Sequence, residues 1–301
     1  KRRTCSATAT RWSRERAGQS CAMPAMDCRH EAPPEPRTQT IHLEENAMFD
    51  LTGKVSVITG SSRGIGRAIA EAMARAGAKV VVSSRKPDAC QSVVDAIAAA
   101  GGEAIVVPCN VSEKQQLQNL VDQSVASFGR LDILVCNAAV NPYFGPMAKM
   151  PDDAYDKIMN SNVKSNFWLC NMAAPHMVAS GGGSIIIVSS IGGTHGSPTI
   201  AVYDMSKAAD SSLARSLAVE WGRGGVRANC IAPGLIKTDF SRAFWQNEQL
   251  LKRIEAGIPA LRIGLPEDMA GVAVFLASRA AAYLTGQTIT VDGGLSIKEP
   301  S

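Results

Sequence analysis

From Lys54 onward the chain alternates short runs of β-branched residues with longer amphipathic stretches, and few folds accommodate that alternation. Runs such as Val80-Val81-Val82 have no polar face, so they demand cover on both sides. Parallel neighbours also need a crossover of a dozen or more residues, which the amphipathic stretches supply. The pattern predicts an α/β fold, a doubly wound parallel sheet of seven strands in a single domain. Strands are expected at 55–59, 79–83, 104–108, 133–136, 184–189, 227–231 and 288–291. Helices are expected at 65–76, 90–100, 115–128, 152–179, 201–221 and 266–276, with 240–261 a helical excursion before the last helix. Right-handed crossovers would bring the ends of the first, fourth and fifth strands to one edge, where a ligand crevice opens.

Residues 48–301 hold this pattern, whereas 1–47 are Arg-rich, broken by Pro33, Pro34 and Pro36, and without a sustained period, so they are expected to form a disordered extension. Two origins fit them. Their arginines, serines and threonines suit a transit peptide, while Glu15, Asp27, Glu31 and Glu35 do not; an upstream segment before a natural start at Met48 is the favoured reading. A net charge of +4, without basic-aromatic clusters, argues against nucleic acid as a partner. No apolar run reaches the length of a membrane span, so a soluble protein is expected, and the isolated cysteines suit a reducing compartment such as the cytoplasm. Cys90, Cys109, Cys136, Cys170 and Cys230 are isolated and read as small buried apolar residues, and no metal site is expected.

The first strand runs into Thr59-Gly60-Ser61-Ser62-Arg63-Gly64-Ile65-Gly66, and a helix follows at once. Glycines there permit positive φ and close backbone approach to a pyrophosphate, whose charge the helix N-terminus favours. A tight strand-to-helix turn alone would also explain them. An acidic residue at the end of the second strand commonly holds the ribose 2′-hydroxyl of NAD, but here the strand ends Ser83-Ser84-Arg85-Lys86. A guanidinium suits a 2′-phosphate, and Arg63 can approach it from the glycine loop. Either arginine alone reads as a surface charge; the pair, with no acid, points to NADPH/NADP+.

Tyr203 and Lys207 are four residues apart at the start of a helix and share one face. A phenol, with a pKa of about 10, is poorly suited to acid-base work at neutral pH, and a cation one turn away moves it toward the working range. Ser190, at the end of the fifth strand, can hydrogen-bond a carbonyl oxygen. Singly, these residues read as a packed aromatic, a surface charge and a strand-end cap.

Together they resemble the classical short-chain dehydrogenase/reductase family, over residues 51–296. The resemblance rests on Thr59 to Gly66, Asn137-Ala138, Asn162-Val163, Ser190 thirteen positions before Tyr203, Lys207, Pro233-Gly234 and Asp292-Gly293-Gly294. It implies a Rossmann fold, Tyr203 as general acid in reduction, Lys207 binding the nicotinamide ribose and lowering the tyrosine pKa, Ser190 orienting the carbonyl, and Asn162 holding a proton-relay water. The implied cofactor contacts are Gly60, Ser62, Arg63, Gly64, Ile65, Gly66, Ser84, Arg85, Lys86, Asn110, Val111, Asn137, Ala138, Ala139, Tyr203, Lys207, Pro233, Gly234, Ile236 and Thr238. Asn137 to Pro142, Ser83 to Lys86 and Ala232 to Thr238, with Phe240-Ser241-Arg242 and Trp245 beyond, are similar to the NADPH-dependent carbonyl/retinal reductase branch. That branch includes peroxisomal members, but the ending Lys298-Glu299-Pro300-Ser301 lacks their address.

This chain departs from the family pattern at Cys136, Ala139 and Asn110, and at Asp210, where the catalytic helix usually has an apolar residue. Asn110 keeps an acceptor for the adenine, and Asp210 is expected to bear on helix packing or subunit contact. The family resemblance implies a homotetramer built through the long helices. Tyr143, Phe144, Phe240, Phe244 and Trp245 are expected around one crevice, favouring aromatic ketones and α-dicarbonyls as small-molecule carbonyl substrates. The competing readings are a 3-oxoacyl-carrier-protein reductase and a non-catalytic NADPH-binding regulator.

Overall fold

The computed structural model describes residues 48–297; the expectation of a disordered 1–47 lies outside them. Seven parallel strands form one sheet in the order β3-β2-β1-β4-β5-β6-β7. They are β1 (Val55–Thr59), β2 (Lys79–Ser83), β3 (Ala104–Val106), β4 (Ile133–Cys136), β5 (Gly183–Val188), β6 (Val226–Pro233) and β7 (Thr288–Val291). Alternate side chains leave opposite faces of each strand, and both sets are buried. Ile58, Val80, Val82, Val135 and Ile186 meet helices α1 (Gly64–Arg75), α2 (Pro87–Ala99) and α9 (Pro266–Ala277). Val57, Val81, Leu134, Ile185 and Ile187 meet α3 (Lys114–Phe128), α5 (Ser165–Ala179) and α6 (Ala201–Trp221).

Strand order reverses between β1 and β4, which are direct neighbours although β2 and β3 intervene in the chain. That reversal leaves a crevice beyond their carboxyl ends. One crossover differs from the sequence reading. The chain steps from β1 to β3 with α1 and α2 on one face, then from β4 to β6 in the opposite direction with α5 and α6 on the other, so these connections share one hand. From β6 to β7 it keeps stepping the same way, yet α9 lies on the face of α1. This last connection therefore has the opposite hand, which the long excursion before α9 gives it the length to adopt.

The expected 152–179 helix is helical throughout but not uniform. α4 (Asp152–Ile158) passes into a π-helical stretch, Met159–Lys164, before α5. Two short helices, α7 (Arg242–Trp245) and α8 (Glu248–Ala256), fill the excursion. β3 stops at Val106, two residues short of the expected Pro108, and α2 starts at Pro87, three residues before the expected Cys90. Proline accounts for the second shift, since its fixed φ suits a first helical position, whereas the amides of Val107 and Cys109 still bond to Val82 and Ser84 beyond the last strand residue.

Candidate active site

The turn from β1 into α1 needs glycine at specific places. Gly60 and Gly64 have φ of 65° and 57°. A Cβ on Gly66 would lie 2.5 Å from both the Asn137 side-chain amide and the Gly60 carbonyl oxygen, so no side chain fits there. Asn137 Nδ2 donates to the Thr59 and Gly60 carbonyls at 2.9 and 3.1 Å, and the Thr59 hydroxyl accepts from the amides of Asn137 and Ala138. The end of β4 thus braces the glycine turn. Arg63 stands extended before α1 and offers no side-chain cap, leaving the first amides of the helix open to an anion. These features fit the pyrophosphate of a dinucleotide. Ser62 and Ile65 flank the opening half-buried, and Ala139 continues the loop beyond Ala138.

At the end of β2, the Ser84 hydroxyl accepts from the Lys86 amide at 3.3 Å, while Arg85 and Lys86 are exposed. Arg85 forms no ion pair among the described residues. Arg63, by contrast, pairs with Asp239 at 3.1 Å, and Arg242 holds the same carboxylate. Asp239 lies 176 residues from Arg63, and no local pattern announces it. Asn110 uses its side-chain oxygen on the Ser112 amide at 3.3 Å, so the acceptor expected to face an adenine already closes a local turn; Val111 lies beneath it, half-buried. On the other side, Pro233 ends β6, a Cβ on Gly234 would fall 2.8 Å from the Asp292 Cα, and Ile236 is buried. A Cβ on Gly64 would come within 3.3 Å of the Thr238 methyl, so the loop after β6 closes onto the glycine turn.

Tyr203 and Lys207 project from the first turns of α6 toward the end of β5. Lys207 is only 2% exposed; its Nζ donates to the Val188 carbonyl at 2.8 Å and to Asp210 Oδ2 at 3.1 Å, and it lies 5.8 Å from the Tyr203 ring centroid. Ser190 stands at the end of β5, where its hydroxyl accepts from the Gly192 amide at 3.1 Å. Burial pushes the Tyr203 phenol up, and although Lys207, as expected, and Ser190, which was not expected to, pull it down, it stays above the usual phenol value; Asp210 and Asp204 add to the rise. Lys207 therefore acts with the expected sign without bringing the tyrosine to neutral range in this state.

Asn162 lies in the π-helical stretch and is fully buried. Its side-chain oxygen accepts from the Val140 amide at 2.9 Å, and its amide donates to the Val140 carbonyl and the Ser206 hydroxyl, each at 3.0 Å. The side chain is committed to protein partners, so it clamps the loop after β4 to α6. Of the two expectations for Asp210, helix packing and subunit contact, its placement matches the first. It faces inward, 1% exposed, and takes hydrogen bonds from Lys207 and from Asn166 Nδ2 at 2.9 Å; it is no surface contact residue.

Of the five aromatics expected around the crevice, two lie against Tyr203. Phe240 stacks obliquely at 5.8 Å between ring centroids. Tyr143 joins Met147, Met150, Ile200 and Tyr203 around a narrow cleft, and the two methionines were not foreseen. Trp245 is turned to the Thr238 carbonyl, to which its indole donates at 2.9 Å, while Phe144 and Phe244 are exposed. Methionine at those positions carried no signal beyond general apolarity.

Comparison with known proteins agrees with this geometry. The family described as enoyl-(acyl carrier protein) reductase matches residues 60–296. Dehydrogenase/reductase SDR family member 4 of Bos taurus is 43% identical over 247 residues, which cover 81% of this chain and 88% of that protein. Among solved structures, a gluconate 5-dehydrogenase from Burkholderia cenocepacia, in complex with NADP and tartrate, is 33% identical with a TM-score of 0.81, covering 84% of this chain and 99% of that one. A 7α-hydroxysteroid dehydrogenase complexed with NADH and 7-oxo glycochenodeoxycholic acid is 38% identical with a TM-score of 0.79, covering 82% and 95%. A parallel seven-stranded sheet, a glycine turn at its switch point and a tyrosine-lysine pair at the end of β5 thus occur in a chain that belongs to the classical short-chain dehydrogenase/reductase family of oxidoreductases.

Proposed function

We propose that this chain reduces ketones or aldehydes to alcohols with NADPH, using Tyr203 as the general acid. The observation that carries the reading is the convergence of Tyr203, the buried Lys207 and Ser190 at the end of β5, beside the glycine turn. When bound, the nicotinamide supplies the hydride. The chain's own residues do the rest: Ser190 orients the carbonyl oxygen, Tyr203 holds the proton that oxygen receives, and Lys207 keeps a positive charge beside the phenol. Asn162 keeps the loop carrying Asn137 to Val140 against α6.

Gly60, Gly64, Gly66 and the amides at the start of α1 would hold the pyrophosphate, with Pro233 to Thr238 toward the nicotinamide. Exposed Arg85, with no acid on β2 and Arg63 opposite, supports NADPH over NADH. The cleft beside Tyr203, walled by Tyr143, Met147, Met150 and Ile200, supports compact apolar carbonyls, since a sugar would leave hydroxyls unpaired there. A second reading, reduction of the 3-oxo group of an acyl thioester on a carrier protein, draws support from the match to a family of carrier-protein reductases.

The test is NADPH oxidation with an aryl ketone, an α-dicarbonyl and an acetoacetyl thioester under identical conditions. Higher kcat/KM for the first two is expected; preference for the thioester would promote the second reading. The assembly proposed is a homotetramer, supported by Phe167 on α5 and Met205 and Val219 on α6, all exposed in the single chain, and a monomeric mass in solution would contradict it. A cytoplasmic setting belongs to the same reading; five buried, unlinked cysteines support it, and no helix among the described residues is long and apolar enough to cross a membrane.

A further inference from the structure

Lys207 has three N–H donors, and two are committed before any ligand arrives: one to the Val188 carbonyl, one to Asp210. Asp210 sits one turn further along α6, inside the protein, and its two oxygens are both engaged, Oδ2 by Lys207 and Oδ1 by Asn166 of α5. Burial pushes the Asp210 carboxyl above the usual carboxylate range, while Lys207 and Asn166 pull it down; both partners are donors, an arrangement that suits an ionised carboxylate. Most of the surroundings are neutral. Cys230 of β6 lies against the Asp210 carbonyl at 3.4 Å, its thiol pushed up to about 12 by burial and by Asp210; Cys170 of α5, beside Cys136 of β4, is raised as well. Asp204 on α6 faces His195 of the loop after β5, and Ser190 completes the groups acting on Tyr203. The full charge of Lys207 therefore does not act on Tyr203 alone.

We propose that Asp210 is a positioning residue for the reaction, anchoring the Lys207 ammonium and offsetting its charge where it faces Tyr203. This rests on the reading of Tyr203 as the proton donor. Its consequence is that the phenol keeps its proton to more alkaline pH than a lysine alone would allow, so reduction persists there. Burial and the two carboxylates on α6 push the phenol in that direction.

The experiment has two arms. In the first, phenol ionisation is followed by ultraviolet difference titration of the full chain, with Tyr203→Phe subtracted to isolate one of its four tyrosines. In the wild-type chain Tyr203 should titrate above the ordinary phenol value of about 10. In Asp210→Asn its midpoint should fall by about one pH unit or more, the size expected when a neighbouring charge is removed. Asp210→Leu, which supplies the apolar residue usual in the family, should act the same way if Asp210→Asn does not fold. In the second arm, the alkaline limb of the carbonyl-reduction profile should move down with the titration. Equal midpoints in wild type and variant, an upward shift because Lys207 gives up its proton, or a wild-type midpoint at or below the ordinary value would each overturn the proposal. If no carbonyl is reduced by any form, the proposed function fails, while the titration still decides the role of Asp210.

Discussion

The two sides of the crevice are built differently. On the nucleotide side, the turn after β1 is fixed by Asn137 and Thr59, and Gly66 has no room for a methyl group. On the carbonyl side, Phe144, Phe240 and Met147 are 65%, 59% and 61% exposed. The glycine turn is in place before a ligand arrives, because close backbone approach to a charged group tolerates little error. The carbonyl side gains its burial from whatever binds, which suits a range of apolar shapes. Binding of nucleotide and choice of carbonyl should therefore respond to separate substitutions.

The largest expected effect breaks catalysis without touching the nucleotide side. Tyr203→Phe removes the proton donor and should lower kcat by roughly 100- to 10,000-fold, with NADPH affinity nearly unchanged by fluorescence titration. Activity within a few-fold of wild type would sink the assignment of Tyr203, and a parallel loss of nucleotide affinity would show that the two sides are not separable. Lys207→Ala should damage both, since Lys207 lies where they meet.

Next in size is nucleotide choice. Each charge-assisted contact to a 2′-phosphate stabilises binding by about 1.5–3 kcal/mol, so Arg63→Ala with Arg85→Ala should erase most of the preference for NADPH over NADH. The structure ranks the two. Arg63 must leave Asp239 to reach a phosphate, whereas Arg85 has no ion pair among the described residues to leave. An exposed pair is weak, so Arg85→Ala should cost the larger share, and Asp239→Asn should strengthen NADPH binding slightly. Equal use of NADH and NADPH by the wild-type chain would remove the basis for both statements.

The nucleotide side was also the more legible of the two in the sequence. Val57, Ile58, Val80, Val81 and Val82 announce strands buried on both faces, and a glycine turn running into a helix marks the switch point. Strand and helix ends were less legible where proline set them, as at Pro87. The hand of the last crossover depends on which face α9 covers, and α9 is apolar enough to pack on either. The π-helical stretch was hidden because it depends on Asn162 reaching Val140, twenty-two residues away. Lys207 and Asp210 were readable as neighbours three apart on one helix, yet the sequence alone did not say that their shared face points inward. The aromatic wall was overread, since Trp245 satisfies its own N–H on the Thr238 carbonyl instead of facing the cleft.

The smallest expected effect concerns stability on the carbonyl side, at Asp204. Its carboxyl is 6% exposed, one oxygen has no hydrogen-bond partner, and it sits against Gly192, where a Cβ would fall 2.1 Å from it. Burial raises its pKa from 3.8 to about 6, with His195 pulling the other way. A carboxyl whose pKa is higher in the folded chain favours the protonated form there, so its stabilising share is complete below about 3.8 and is lost as pH rises through about 6. The loss is small, because solvent screens the charge and the first turn of α6 welcomes it. Asp204→Asn removes the ionisation while keeping the shape. Its melting temperature should therefore exceed that of the wild-type chain at pH about 8 and show no advantage at pH about 4. Equal melting temperatures at the higher pH would mean that the Asp204 carboxylate is solvated in place, and that the turn carrying Gly192 opens to water as readily as the exposed aromatics across the cleft.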